Sequence, residues 1–92
     1  MTVGASFSVR LPENRTTGYR WRLQECDRES LEVVRDEFQA PATARAGAGG
    51  EHIWEFVART PARSRLRLGL GRSWEPTALA RTFELDVSVQ QV

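Results

Sequence analysis

The chain has 92 residues, enough for one domain that buries about 60% of its unfolded surface, but not for two separate cores. Thirteen basic residues, all of them arginine, stand against twelve acidic ones, and a net charge of +1 excludes a general nucleic-acid binder. A single cysteine, Cys26, excludes an intramolecular disulfide and a four-cysteine zinc site; with only one histidine, His52, no metal or other cofactor is expected.

No apolar stretch approaches the roughly 18 residues that a membrane span requires. The start, Met1-Thr2-Val3-Gly4, carries neither a basic nor an apolar leader segment. The chain is therefore expected to be soluble, either cytoplasmic as written or secreted or periplasmic if a leader has been removed. Arginine without lysine, among many Ala and Gly residues, suggests a GC-rich genome and a bacterial source.

Along the chain the periodicity is two. Ala5, Phe7, Val9 and Leu11 alternate with Ser6, Ser8 and Arg10, which predicts a half-buried strand. Tyr19, Trp21 and Leu23 alternate with Arg20 and Arg22. A third run holds Leu31, Val33 and Val34 and leads to Phe38. The fourth, from His52 to Ala58, points Trp54 and Phe56 inward and Glu55 to water. Leu66, Leu68 and Leu70 form the fifth, and Phe83, Leu85, Val87 and Val89 the sixth. No amphipathic helix separates them; residues 26–32 are too few for more than a turn. The pattern predicts a single all-β domain over residues 1–92, an immunoglobulin-like antiparallel β-sandwich.

The connections at 24–30 and 60–64 are short and ordinary. Those at 12–18, 39–50 and 71–81 are rich in Gly, Pro, Thr and aromatic residues. If successive strands run in opposite directions, the first, third and fifth connections emerge at one end. A sandwich with its three distinctive loops at one end is built as a binding module. In the first loop, Gly18 can take a positive φ, and the Asn and Thr side chains can bond nearby backbone. In the third, small side chains let another protein approach the backbone closely. The fifth exposes Arg72 and Trp74, residue types favoured as interface anchors.

Three short motifs carry a family resemblance: Asn14-Arg15-Thr16-Thr17-Gly18-Tyr19, Gly47-Ala48-Gly49-Gly50 and Arg72-Ser73-Trp74. In that order they resemble the binding loops of the chagasin family, whose pattern is Asn-Pro-Thr-Thr-Gly-aromatic, Gly-x-Gly-Gly and Arg-Pro-Trp. The resemblance runs from about Gly4 to Val89. It implies an immunoglobulin-like fold, no catalysis, and tight, reversible inhibition of papain-like cysteine proteases by a wedge of three loops. Thr16 and Thr17 would sit at the protease's catalytic Cys–His pair, with Asn14 and Gly18 fixing the turn. The 47–50 segment would lie along the substrate groove, and Trp74 would pack on aromatic side chains with Arg72 beside it.

Two family prolines are replaced here, by Arg15 and Ser73. Each loss of a fixed φ costs on the order of 0.4–1 kcal/mol, so together they imply inhibition weakened by roughly tenfold. Arg15 also brings a cation toward the cleft, which would favour proteases with acidic walls. The N-terminal region is short for the family, so an edge strand is expected to be missing or paired differently. The unbound chain is expected to be a monomer that binds neither nucleic acid nor membrane.

The same residues admit other readings. Trp21 and Trp54 lie within alternating strands and read as core. Cys26 and His52 supply a nucleophile and a base in principle, but no third residue is indicated to orient them. The 47–50 run lacks the Lys-Ser/Thr end of a phosphate loop. Arg63, Arg65 and Arg67 read as a solvated strand face. The rival to inhibition is an immunoglobulin-like adhesive or assembly domain that keeps the loops without inhibiting.

Overall fold

A computed structural model describes residues 1–41, 49–75 and 78–91. Six strands follow one another: β1 (Ser6–Glu13), β2 (Tyr19–Glu25), β3 (Leu31–Gln39), β4 (Gly50–Ala58), β5 (Ala62–Arg72) and β6 (Arg81–Val89), with one 3-10 turn at Arg15–Thr17. They form two three-stranded sheets, ordered β1-β4-β3 and β2-β5-β6, and every strand pair is antiparallel. This is the expected sandwich, and its chain order crosses between sheets at connections one, two and four.

The alternation of side chains builds the core. From the first sheet, Val9, Leu31, Trp54, Phe56 and Ala58 point inward; Trp21, Leu66, Leu68, Val87 and Val89 meet them from the second. Phe7 stacks on Phe56 with ring centroids 5.1 Å apart. Each fully buried large side chain contributes about 1.5–3 kcal/mol of transfer free energy, so Trp54, Phe56, Leu31, Leu66 and Leu68 dominate the drive to fold. Trp21 and Trp54 are core residues, as their strand positions imply.

Three features depart from simple alternation. A bulge between Val33 and Arg35 leaves Val34 exposed and shifts the parity of β3. Beyond it Asp36 and Phe38, rather than Arg35 and Glu37, share the inner face with Trp54 and His52. A second bulge, between Leu23 and Glu25, turns Cys26 back toward the core. Ile53, on the outer face of β4, is fully buried although it lies outside the core cluster. Its register partners are Arg10 and Glu37, long side chains whose stems can cover it while their charges stay in water.

The N-terminus is paired rather than absent. Thr2 bridges Gln90 in parallel, beyond β6, and Gly4 at φ +91° turns the chain into β1. Arg63, Arg65 and Arg67 lie on the outer face of β5. Arg65 and Arg67 are ion-paired with Glu84, Asp86 and Glu25 across the neighbouring strands, as expected of a solvated face.

Register fixes where the connections lie. Glu13 at the end of β1 faces Gly50 at the start of β4, and Gln39 at the end of β3 faces Glu51. Tyr19 at the start of β2 faces Arg72 at the end of β5, and Leu70 faces Arg81 at the start of β6. The first connection joins these two groups, so connections one, three and five share one end. At the other end the two ordinary connections bond to each other, through Ser30 Oγ to the Thr60 carbonyl at 2.7 Å.

Candidate functional site

Loop one is a closed turn held by its own side chains. Asn14 caps the 3-10 turn: its Oδ1 accepts from the Thr16 amide at 3.1 Å and from the Thr16 hydroxyl at 2.6 Å. The Thr17 hydroxyl donates to the Asn14 carbonyl at 2.8 Å, and the Gly18 amide to the Arg15 carbonyl at 3.2 Å. Gly18 takes φ +83°, the left-handed conformation that glycine reaches without penalty. Thr16 and Thr17 are exposed at the tip.

Beneath the tip lies a polar group that the loop motifs do not announce. β1 runs two residues further than alternation of apolar residues suggests, through Pro12 and Glu13. Proline is tolerated because β1 is a sheet edge. Glu13 thus continues the inward series Phe7, Val9, Leu11, and its residue is only 2% exposed. Its carboxylate accepts the Trp21 amide through Oε1 and Arg15 Nε through Oε2 at 3.0 Å. His52 Nδ1 lies 3.3 Å from Glu13 Oε1, and His52 Nε2 lies 2.5 Å from Asp36 Oδ1. The His52 ring stacks on Trp54 at 4.0 Å. The Trp21 indole donates to the Pro12 carbonyl at 2.9 Å. A buried carboxylate without such donors would cost several kcal/mol; here it ties the ends of β1, β2 and β4 together.

Loop one is joined to both other loops. The Arg15 guanidinium lies 4.2 Å from the centroid of Phe38, next to the third loop. Phe38 in turn packs on Gly50, where an added Cβ would stand 2.6 Å from the ring and would collide with the Gln39 carbonyl oxygen. On the other side, the Arg72 guanidinium lies 4.3 Å over the Tyr19 ring and 5.6 Å from the Trp74 ring. The rim of Trp74 covers Gly18: a Cβ there would be 2.8 Å from Trp74 Cη2. Trp74 is nevertheless 65% exposed. Loop five is bonded back to the sheet by the Ala80 amide and the Leu70 carbonyl, 2.8 Å apart, and by Leu79, which covers Gly69 and Gly71.

Asn14, Arg15, Thr16, Thr17, Gly18, Tyr19, Gly49, Gly50, Arg72, Ser73 and Trp74 therefore gather at one end. Gly47 and Ala48 lie outside the described residues. Within the group, Tyr19 and Arg72 are half-buried supports, while Thr16, Thr17, Ser73 and Trp74 are exposed. Glu13, Asp36, Phe38 and His52 complete the end. Cys26 and His52 do not meet: Cys26 follows the far end of β2, and His52 stands at the loop end of β4. Burial, the largest influence, raises the Cys26 thiol pKa; nearby Asp27 also raises it, and Arg28 opposes. A half-buried thiol of that kind is a poor nucleophile.

The structure defines a class: an immunoglobulin-like β-sandwich that gathers the ends of three connections at one edge, with loop one packed against the described ends of the other two. Residues 1–87 match the family described as chagasin family peptidase inhibitor I42. The chain is 33% identical over 89 residues to amoebiasin-1 of Entamoeba histolytica, covering 95% of this chain and 84% of that protein. It is 27% identical over 78 residues to chagasin of Trypanosoma cruzi, covering 80% of this chain and 71% of that one. In fold it resembles the cysteine protease inhibitor EhICP2 of Entamoeba histolytica, with a TM-score of 0.87 at 18% identity over 98% of this chain and 83% of that chain. It also resembles PbICP-C, solved in complex with falcipain-2, with a TM-score of 0.79 at 19% identity over 98% and 84% of the two chains. The chain belongs to the chagasin family, whose members are inhibitors of cysteine proteases and not enzymes.

Proposed function

We propose that residues 1–92 act as one domain that reversibly inhibits papain-like cysteine proteases by filling the active-site cleft with the three loops. The observation that carries this reading is the braced edge itself, with Thr16 and Thr17 at its tip and Trp74 largely exposed beside them. Thr16 and Thr17 enter beside the catalytic Cys–His pair. Gly49 and Gly50, with Gly47 and Ala48 before them, run along the substrate groove and offer backbone hydrogen bonds. Trp74 anchors on aromatic side chains, steadied by Arg72. That PbICP-C, of the same fold, was solved in complex with falcipain-2 supports a protease as the partner here.

Inhibition follows from shape. A protease attacks an extended peptide, whereas Arg15–Thr17 forms a closed 3-10 turn bonded at both ends. No scissile carbonyl is offered to the thiolate in attack geometry, so the complex dissociates intact. The ground for the adhesive-domain alternative is the pair of replaced prolines, since looser loops would no longer inhibit. Contacts of Arg15 with Glu13 and Phe38, and of Arg72 with Tyr19 and Trp74, restrain both loops by other means. The bacterial source rests on composition alone, arginine without lysine among many Ala and Gly residues, and both curated relatives named above are protozoan.

Titrating active-site-counted papain with the protein tests the reading. The expected result is stoichiometric loss of activity that returns on dilution, with the inhibitor uncleaved. No inhibition at tens of micromolar across several papain-like proteases refutes it.

A further inference from the structure

Arg15 stands at the one position of loop one where the family pattern has a ring-constrained residue, and its side chain does not simply reach outward. Its Nε donates to the fully buried carboxylate of Glu13 at 3.0 Å, and its Cζ lies 4.2 Å from the Phe38 ring centroid. Glu13 is at the same time bonded to the Trp21 amide and close to His52, while Phe38 packs on Gly50. One side chain therefore connects the turn of loop one to the start of β2, to β4 and to the root of loop three.

Building on the inhibitor reading, we infer that Arg15 is a positioning residue. It latches loop one against Glu13 and Phe38 and so sets the separation of loops one and three before a protease arrives. The charge at this position is already paired with Glu13 in the free protein. Arg15 consequently governs how much of the free protein holds the binding geometry, more than it selects acidic cleft walls. A loop that holds that geometry only part of the time has its apparent dissociation constant raised by the inverse of the fraction that remains competent, and it binds more slowly for the same reason.

Position 15 also accepts a second solution. It is the first residue of the 3-10 turn, where a proline fits because its missing amide would be unpaired anyway. Asn14, at φ −108° and ψ 101°, is in the extended region that a residue before proline favours. Proline at 15 would restrain the turn through the backbone, as arginine does through its side chain.

The test combines hydrogen exchange on the free protein with papain inhibition kinetics for wild type, Arg15→Ala and Arg15→Pro. Arg15→Ala is expected to speed amide exchange at residues 16–21 by about tenfold, because the turn loses the side-chain contacts that restrain it. Exchange in β5 and β6 should stay as it was. The same variant should raise Ki by about tenfold, mainly through slower association, and Arg15→Pro should restore both quantities. Unchanged exchange at 16–21 in Arg15→Ala overturns the latch, whatever happens to inhibition. So does a raised Ki that Arg15→Pro fails to recover, since Arg15 would then be a protease contact. Should wild type fail to inhibit any papain-like protease, the inhibitor reading falls, while the exchange data still decide the latch.

Discussion

Gly18→Ala separates the stability of the fold from the geometry of the wedge. At φ +83° an L-residue costs about 1–2 kcal/mol relative to glycine. The new methyl would also stand 2.8 Å from Trp74 Cη2, well inside van der Waals contact. That atom is the far rim of a ring 65% exposed to solvent, so it can swing away and the collision adds little to the stability cost. For a domain of this size 1–2 kcal/mol lowers the melting temperature by roughly 4–16 °C. Binding loses more, because a displaced Trp74 no longer presents its face: an anchor of about 2 kcal/mol corresponds to roughly thirtyfold in Ki. Calorimetric melts and papain progress curves, run well below both melting temperatures, read the two effects separately. The double variant Gly18→Ala/Trp74→Ala should melt with Gly18→Ala and inhibit like Trp74→Ala. Full inhibition by Gly18→Ala at a lowered melting temperature would refute the argument, since Trp74 would then not depend on a bare Cα beneath it.

Trp74→Ala alone should weaken inhibition by roughly thirtyfold and shift unfolding by less than about 0.5 kcal/mol, because its ring is mostly solvated; a collapsed melt would show it to be core. Gly50→Ala should destabilise the β3–β4 hairpin by more than about 2 kcal/mol, since the added carbon meets the Gln39 carbonyl and the Phe38 ring at once, and thermal melts measure this directly. Cys26→Ser should leave papain inhibition unchanged, as Cys26 sits at the opposite end from the loops. It should also alter the alkaline limb of stability. Burial raises the folded thiol's pKa above its ordinary 9.0, so the contribution is full below that pH and is lost as pH rises beyond it. Wild type should therefore lose stability relative to Cys26→Ser as pH rises beyond 9.0, and not below it, in paired melts.

Period-two alternation made the strands readable, because the strands bury mainly one face, Ile53 on the outer side of β4 apart. Phe7, Val9 and Leu11, or Leu66, Leu68 and Leu70, could hardly pack in any other way. The loop end was readable for a topological reason, the parity of connections in an antiparallel sandwich. What stayed hidden was polar. Glu13 occupies the next inward position after Leu11, yet a carboxylate after a proline reads as the start of a loop. Its burial becomes sensible only with the Trp21 amide and the Arg15 guanidinium in place, and both partners come from beyond the strand. His52 likewise continues the inward series of Trp54 and Phe56, but a lone histidine at a strand start carries no sign of stacking on a tryptophan. The bulge at Val34 was equally silent, since Val33-Val34 fits either parity; it is the bulge that brings Asp36 to His52 and Phe38 under Arg15.

The two missing prolines now take on a different meaning. A proline stiffens a loop locally, through its own φ, and the gain is independent of the neighbouring loops. Here restraint comes from side-chain contacts, some within a loop, as Arg15 with Glu13 and Arg72 with Trp74, and others reaching beyond it, as Arg15 with Phe38, Arg72 with Tyr19 and Trp74 over Gly18. Restraint of this kind is shared. Loosening loop one removes the platform under Trp74, and displacing Trp74 uncovers loop one. Substitutions in different loops should therefore combine non-additively, with coupling that proline-stiffened loops would lack. A cycle built on Arg15→Ala and Trp74→Ala reads this directly. If loop one transmits restraint to loop five, the double variant loses less affinity than the two single losses combined, because each single change already relaxes part of what the other would remove. Strict additivity would mean that the loops enter the cleft as independent elements and that each is rigid on its own.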